Sequence, residues 1–190
     1  MATSSKVAIC AAALVELGDD PIASFDEAND RTRLAVTLYD QKRDMILRSH
    51  PWNCCKKKII LAPLADAPAF DWGAAFLLPD DCLRVLGVGQ SGQSDDYEIV
   101  GRQIHMDATA CYLTYIFRNE DESKWDSLLI AAMTAVMKAV CAYAITKSTT
   151  KAASDDELMR VALRVARSID GQEEPPQTLG DSPILSARFG

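Results

Sequence analysis

Histidine is scarce in this chain: His50 and His105 are the only two. Neither stands in an H-E-x-x-H or C-x-x-C ligand set, so the sequence gives no basis for a metal site. An excess of positive charge is also missing, with Lys and Arg totalling 20 against 27 for Asp and Glu, a net charge of -7 and a sequence pI near 4.8. Nucleic-acid binding leans on Lys and Arg neutralising phosphates, so specific binding of DNA is not expected. A long uninterrupted apolar run is missing too. The most apolar stretch, Leu128 to Ile145, is broken by Thr134 and Lys138, which predicts a buried helix and no membrane span. The N-terminal Met-Ala-Thr-Ser-Ser-Lys lacks the charged-then-apolar layout of a secretory leader, and the expectation is synthesis in the cytoplasm. The six cysteines, Cys10, Cys54, Cys55, Cys82, Cys111 and Cys141, have no repeated spacing, which predicts free thiols in a reducing compartment. There are no internal repeats.

What is present is ordinary globular composition: 190 residues, 48% hydrophobic and 25% charged, enough for one real core. Val7, Cys10, Leu14 and Leu17 recur at helical spacing, with Ser4 or Ser5 as N-cap and Gly18 as stop. After the turn at Asp19, Asp20 and Pro21, Asp26 can cap a second helix carrying Leu34, Leu38, Met45 and Ile46 and ended by Pro51. Short stretches rich in branched and aromatic residues follow: Lys57 to Leu61, Cys82 to Val88, Tyr97 to Val100, Gln103 to Met106 and Ala110 to Phe117. Gly101 and Arg102 can form a tight hairpin between two of them, Gly-first order favouring a type II' turn. Leu128 to Thr146 is apolar on two neighbouring faces, which marks a central helix, and its alanines permit close approach by another. A polar linker, Lys147 to Ala153, precedes Ser154 and Glu157, the capping-box pattern of a fourth helix.

The predicted fold class is therefore α+β, mainly α: a four-helix bundle with a small antiparallel β-sheet inserted between helix 2 and helix 3, and an extended C-terminal arm. A single domain spans 1–170, with helices at about 5–17, 27–49, 127–147 and 155–170 and the sheet at about 56–118. Residues 171–190 hold three prolines and no periodicity and read as the arm, whose Leu179, Ile184, Leu185 and Phe189 are apolar enough to dock.

Several tempting motifs lack their context. Gly87, Gly89 and Gly92 spell G-x-G-x-x-G, and Asp107 lies downstream at a distance suited to a ribose contact. A dinucleotide site needs the third glycine to open a helix, whereas Gln93, Ser94, Asp95 and Asp96 lead towards another strand. A small nucleotide-binding protein or enzyme using the Gly87–Gly92 loop is the alternative reading. Ser91 lacks the second glycine of a nucleophile elbow. Adjacent Cys54 and Cys55 in a strand would point to opposite faces, one inside and one outside, while His50 reads as packed near Trp52 and His105 as surface-exposed. The acidic pairs Asp19–Asp20, Asp80–Asp81, Asp95–Asp96 and Asp155–Asp156 fall at expected turns and helix starts, where carboxylates cap amides. Arg160, Arg164 and Arg167 share one face of the fourth helix, either as a solvated face supported by Asp156 or as a subunit contact. No catalytic residue and no cofactor site is assigned.

Five strings in order resemble the head-to-tail adaptor proteins of tailed bacteriophages, including the tail tubular protein A group. They are Leu17-Gly18-Asp19-Asp20-Pro21-Ile22-Ala23-Ser24-Phe25, Arg43-Asp44-Met45-Ile46-Leu47-Arg48-Ser49-His50-Pro51-Trp52-Asn53, Leu78-Pro79-Asp80-Asp81-Cys82-Leu83-Arg84-Val85-Leu86, Tyr97-Glu98-Ile99-Val100-Gly101-Arg102 and Asp170-Gly171-Gln172-Glu173-Glu174. Cys54 departs from the pattern, in which an aromatic residue often follows Trp-Asn. The resemblance implies a virion protein without catalytic residues, a dodecameric ring beneath the portal protein and above the tail nozzle, through which DNA passes during ejection.

Overall fold

The computed structural model describes residues 5–90 and 95–173. Ser5 caps α1 (Lys6–Glu16) by accepting the Ala8 amide at 3.2 Å. The helix ends where Gly18 takes φ of 85° and the Gly18 and Asp19 amides donate back to Val15 and Leu14. This paired C-terminal closure needs the left-handed residue that glycine supplies without a Cβ clash. Ile9, Cys10, Ala13 and Leu14 form its buried face.

The second helix, α2 (Asp30–Ser49), starts later than expected. Its cap is Asn29, which accepts the Thr32 amide at 2.8 Å, and not Asp26. Asp26 is instead occupied in the connecting loop, accepting from the Ser24 hydroxyl. The buried face also differs: Met45 is exposed, while Tyr39, Ile46, Leu47 and the paired Arg43 are buried. Arg43 is tolerated inside because Asp40, Asp44 and Glu120 surround its guanidinium.

The strands among the described residues lie between α2 and α3 in the chain, and they form two three-stranded antiparallel sheets, not one. The first is ordered β1 (Lys56–Leu61), β6 (Cys111–Phe117), β3 (Cys82–Val88). The second is ordered β2 (Ala74–Leu77), β5 (Gln103–Met106), β4 (Glu98–Val100). Strand β2 was not anticipated; its Ala-rich sequence between Gly73 and Pro79 carries little strand signal. The β4–β5 hairpin turns through Gly101 at φ of 59°, with Arg102 outside the left-handed region, the pattern of a type II' turn. Register shifts in β3 at Cys82/Arg84 and Val85/Gly87 re-aim its side chains. Leu83 and Leu86 thus reach the helices, while Cys82 and Val85 face the second sheet.

Two cores result. Cys111, Leu113 and Tyr115 of β6 pack with Phe76, Ile104 and Met106 between the sheets. Ile116, on the other face of the same strand, joins the helical core with Trp52, Leu129, Met133 and Val136. Helix α3 (Ser127–Thr146) packs against all three other helices. By length and composition it is the one helix among the described residues that could cross a membrane; here it is the core helix, as its two apolar faces predict.

The fourth helix, α4 (Thr149–Gln172), also differs from expectation. Its cap is Ser148, which accepts the Lys151 amide at 3.2 Å, so the predicted linker is mostly its first turn and Ser154 lies within it. Gly171 and Gln172 belong to the helix, which shortens the predicted arm by two residues at its start. Cys54 and Cys55 sit in a 3-10 turn, Asn53–Cys55, and not in a strand.

Candidate functional site

Helix α4 carries the residues that the sequence singles out on its surface, and it is fastened near both ends. Near its start Asp155, wholly buried, accepts from Lys151 at 2.9 Å and pairs with Lys138 of α3 at 3.5 Å. Lys138 in turn reaches Glu16 of α1 at 3.1 Å. Asp155 is therefore an interior ion-pair centre joining three helices, and not the helix-start capping residue expected from its place in an acidic pair.

At the other end Asp170, also buried, accepts the Asn53 amide at 3.0 Å and meets His50 Nε2 at 3.0 Å, while its carbonyl accepts from Asn53 Nδ2 at 2.9 Å. His50 stands edge-on to Trp52 with ring centroids 4.7 Å apart, as its expected packing near Trp52 requires. Trp52 donates its indole N–H to the Ile46 carbonyl at 3.0 Å. The strings His50 to Asn53 and Asp170 to Glu173, 117 residues apart at their hydrogen bonds, thus meet at one corner. Nothing local in the sequence marks Asp170 for this role, because all its partners are distant in the chain.

Three stripes divide α4. Ala152, Met159, Leu163 and Ala166 pack into the helical core. Leu158, Val161, Val165 and Ile169 lie on a second stripe and remain 55%, 42%, 48% and 40% exposed. Their spacing of i, i+3, i+7 and i+11 is a helical period legible in the sequence, though overshadowed by the arginines. On the third stripe Arg160 pairs with Asp156 at 2.8 Å, Arg164 is exposed, and Arg167 is half-buried with its Nη2 donating to Ser49 Oγ of α2 at 2.8 Å. The three arginines therefore do not act alike: Arg167 binds α2, and Arg160 and Arg164 face outwards.

A second exposed apolar patch lies on the second sheet. Leu77 and Val100 flank Gln103 in register on one face and are about half exposed, at 52% and 47%, whereas Ile99, opposite Ile104, lies on the other face of the sheet.

The remaining residues of interest are dispersed. Leu179, Ile184, Leu185 and Phe189 lie outside the described residues, as does Gly92. Gly87 is within β3 and Gly89 follows it, donating to the Tyr112 carbonyl at 2.9 Å. Among the described residues the next element is β4, and no helix lies between it and β3. Beside Gly89 an open groove of about 410 Å³ is lined by Lys58, Ile60, Gln90, Tyr112 and Thr114. Asp107 accepts the Gly73 amide at 2.6 Å and holds the β2 strand start. His105 is half-buried, not surface-exposed, with its Nε2 3.2 Å from Gln103 Oε1. Among the described residues no three His, Cys, Asp or Glu side chains come together as a metal set.

Set against known proteins, the chain matches no protein-family profile and no curated sequence.

Proposed function

We propose that this protein is a structural head-to-tail adaptor of a tailed bacteriophage or prophage, a subunit of a ring that joins portal to tail and lets DNA pass during ejection. The observation that carries the reading is the pair of exposed apolar patches, one along α4 and one on the second sheet. A ring is built from heterologous contacts, in which one surface of a subunit meets a different surface of the next copy. Two unlike apolar patches on one chain supply such a pair, and we assign the α4 stripe to a neighbouring copy. The resemblance of five ordered strings points the same way, and two of those strings meet at the Asp170 corner that fixes α4.

In this reading the four helices act as a bundle around α3, the strands between α2 and α3 form an inserted unit, and the ring is a dodecamer in the virion. Its partners are the portal protein and the tail nozzle, with no enzymatic role, cofactor or membrane. The acidic balance suits a channel wall to which DNA does not adhere.

Negative-stain imaging of the purified protein with and without a portal tests the proposal. Rings on portals are expected, and V161D with V165D should abolish them while leaving the monomer folded. Absence of portal binding by wild-type protein, or unaltered rings in the double variant, overturns it. The groove beside Gly89 favours one second reading, a nucleotide-binding protein. It requires a thermal shift of a few kcal/mol equivalent at nucleotide well above Kd, and the adaptor reading expects none.

A further inference from the structure

Cys54 and Cys55 are adjacent in the short turn between α2 and β1, and the function proposed above makes no use of them. Their sulfur atoms lie 3.7 Å apart and are within hydrogen-bonding reach of each other. Cys55 is wholly buried, and Cys54 is half-buried. The Cys54 carbonyl is held by the Asn119 amide group at 3.0 Å, and Asn53 is held by Asp170, so both sides of the turn are fixed.

That spacing discriminates between two kinds of chemistry. A disulfide requires sulfurs about 2.05 Å apart and Cα atoms usually about 4.4–6.8 Å apart. Neighbouring residues joined by a trans peptide have Cα atoms only about 3.8 Å apart, and this chain has no cis peptide among the described residues. Direct closure is therefore opposed by the backbone. A tetrahedral metal with bonds of about 2.3 Å to each sulfur sets the sulfurs about 3.8 Å apart, and a pyramidal trivalent centre, with narrower angles, sets them somewhat closer, still well beyond disulfide bonding distance. The pair at 3.7 Å needs only a small closing of its side chains to span such a centre.

The two thiols also differ in readiness. The hydrogen bond from Cys55 holds the Cys54 thiol below its ordinary range against the opposing effect of burial, and the Asp126 amide adds to the lowering. The same hydrogen bond, with burial, pushes Cys55 up. Cys54 is the nucleophile and Cys55 the neighbouring donor. Cys10, by contrast, is pushed up to about 12, and Cys111 and Cys141 to about 11, chiefly by burial.

We propose that Cys54 and Cys55 form a two-thiol capture site for trivalent arsenicals, a class of thiophilic ligand satisfied by two thiolates. Cys54 attacks the arsenic of an aryl arsenous acid, forming one S–As bond as one As–O bond breaks, and its proton leaves in water. Cys55 then closes the ring by a second S–As bond, and the second hydroxyl leaves with its proton as a second water. Arsenic stays trivalent, and nothing is oxidised or reduced. The site lacks a third thiolate, so it suits an arsenic already carrying one organic group.

The test uses the full chain, native and freshly reduced, with phenylarsine oxide as probe and intact-mass spectrometry as readout. One adduct per chain is expected, retained in excess monothiol and removed by excess dithiol. It should be lost in both C54S and C55S and kept in C10S and C141S. Because Cys55 is buried, C54S is the deciding variant, checked by its circular dichroism for a native fold. Absence of a monothiol-resistant adduct on the wild type, or its persistence in folded C54S, overturns the proposal.

Discussion

A single buried carboxylate, Asp170, holds the end of α4 against the turn that follows α2. Its oxygens serve the Asn53 amide and His50 Nε2, and its removal would leave a half-buried backbone donor without a partner. Hydrogen bonds to a charged group contribute about 1.5–3 kcal/mol each, and an unmet buried donor adds to the loss. D170A should therefore lower the unfolding free energy by about 2–4 kcal/mol in a urea titration, whereas D170N, which keeps an acceptor for Asn53, should lose less. Equal losses would show that the Asn53 bond is not the main support. Asp170 illustrates what a sequence conceals: a carboxylate near the end of a helix reads as solvent-facing, and only the folded chain brings His50 and Asn53 to it. Glu27 is a different case. Its carboxylate accepts the Ala23 and Ser24 amides, which holds its pKa below the ordinary carboxylate range. A depressed folded pKa stabilises above the unfolded value and is lost as pH falls through the folded one. E27Q should therefore have a lower Tm than wild type at neutral pH, with the gap closing as acid protonates Glu27. A gap that persists in acid would place the effect elsewhere.

At the scale of elements, the helices are the most legible part of the fold and their starts the least. Alternation of apolar residues gave α1 and α3 to within about a residue or two at each end, because burial on one face dominates local preference. The sequence misplaces the start of α4 because Ser154 and Glu157 imitate a capping box, although the stretch before them, with Lys151, Ala152 and Ala153, contains good helix formers. The two candidates for the cap make opposite predictions. S148A should lower stability by about 1 kcal/mol, since Ser148 satisfies the Lys151 amide. S154A, at an exposed interior position, should stay within about 0.5 kcal/mol of wild type in the same titration. A reversed order would restore the later start. The strands show the complementary limit. Their branched and aromatic composition announces them, but which strand pairs with which depends on contacts far apart in sequence. Division into two sheets, with β6 facing both cores, therefore required the structure.

For the whole molecule, the question is which parts hold the fold and which are left for partners. The ion-pair centre at Asp155 and the corner at Asp170 set α4 in place, and the helical core draws on residues no later than Ala166 among those described. The candidate interaction surfaces were legible only in part: the arginine face was singled out, the apolar stripe beside it was not, and Arg167 proved to belong to the α2 contact. Residues 174–190 follow directly from the last turn of α4, and their Ile184, Leu185 and Phe189 were proposed from sequence as docking side chains. Burying those three on a portal would contribute roughly 1.5–3 kcal/mol each before ordering costs, and repetition around a ring multiplies even a small surplus. Deletion of residues 174–190 leaves α4 and the Asp170 corner intact, so the truncated chain should melt within a few degrees of the full one by differential scanning calorimetry. The same deletion should abolish attachment in a portal co-sedimentation assay. A truncated protein that unfolds would mean that the segment belongs to the core, and one that still binds portals normally would show that the segment is not the docking element.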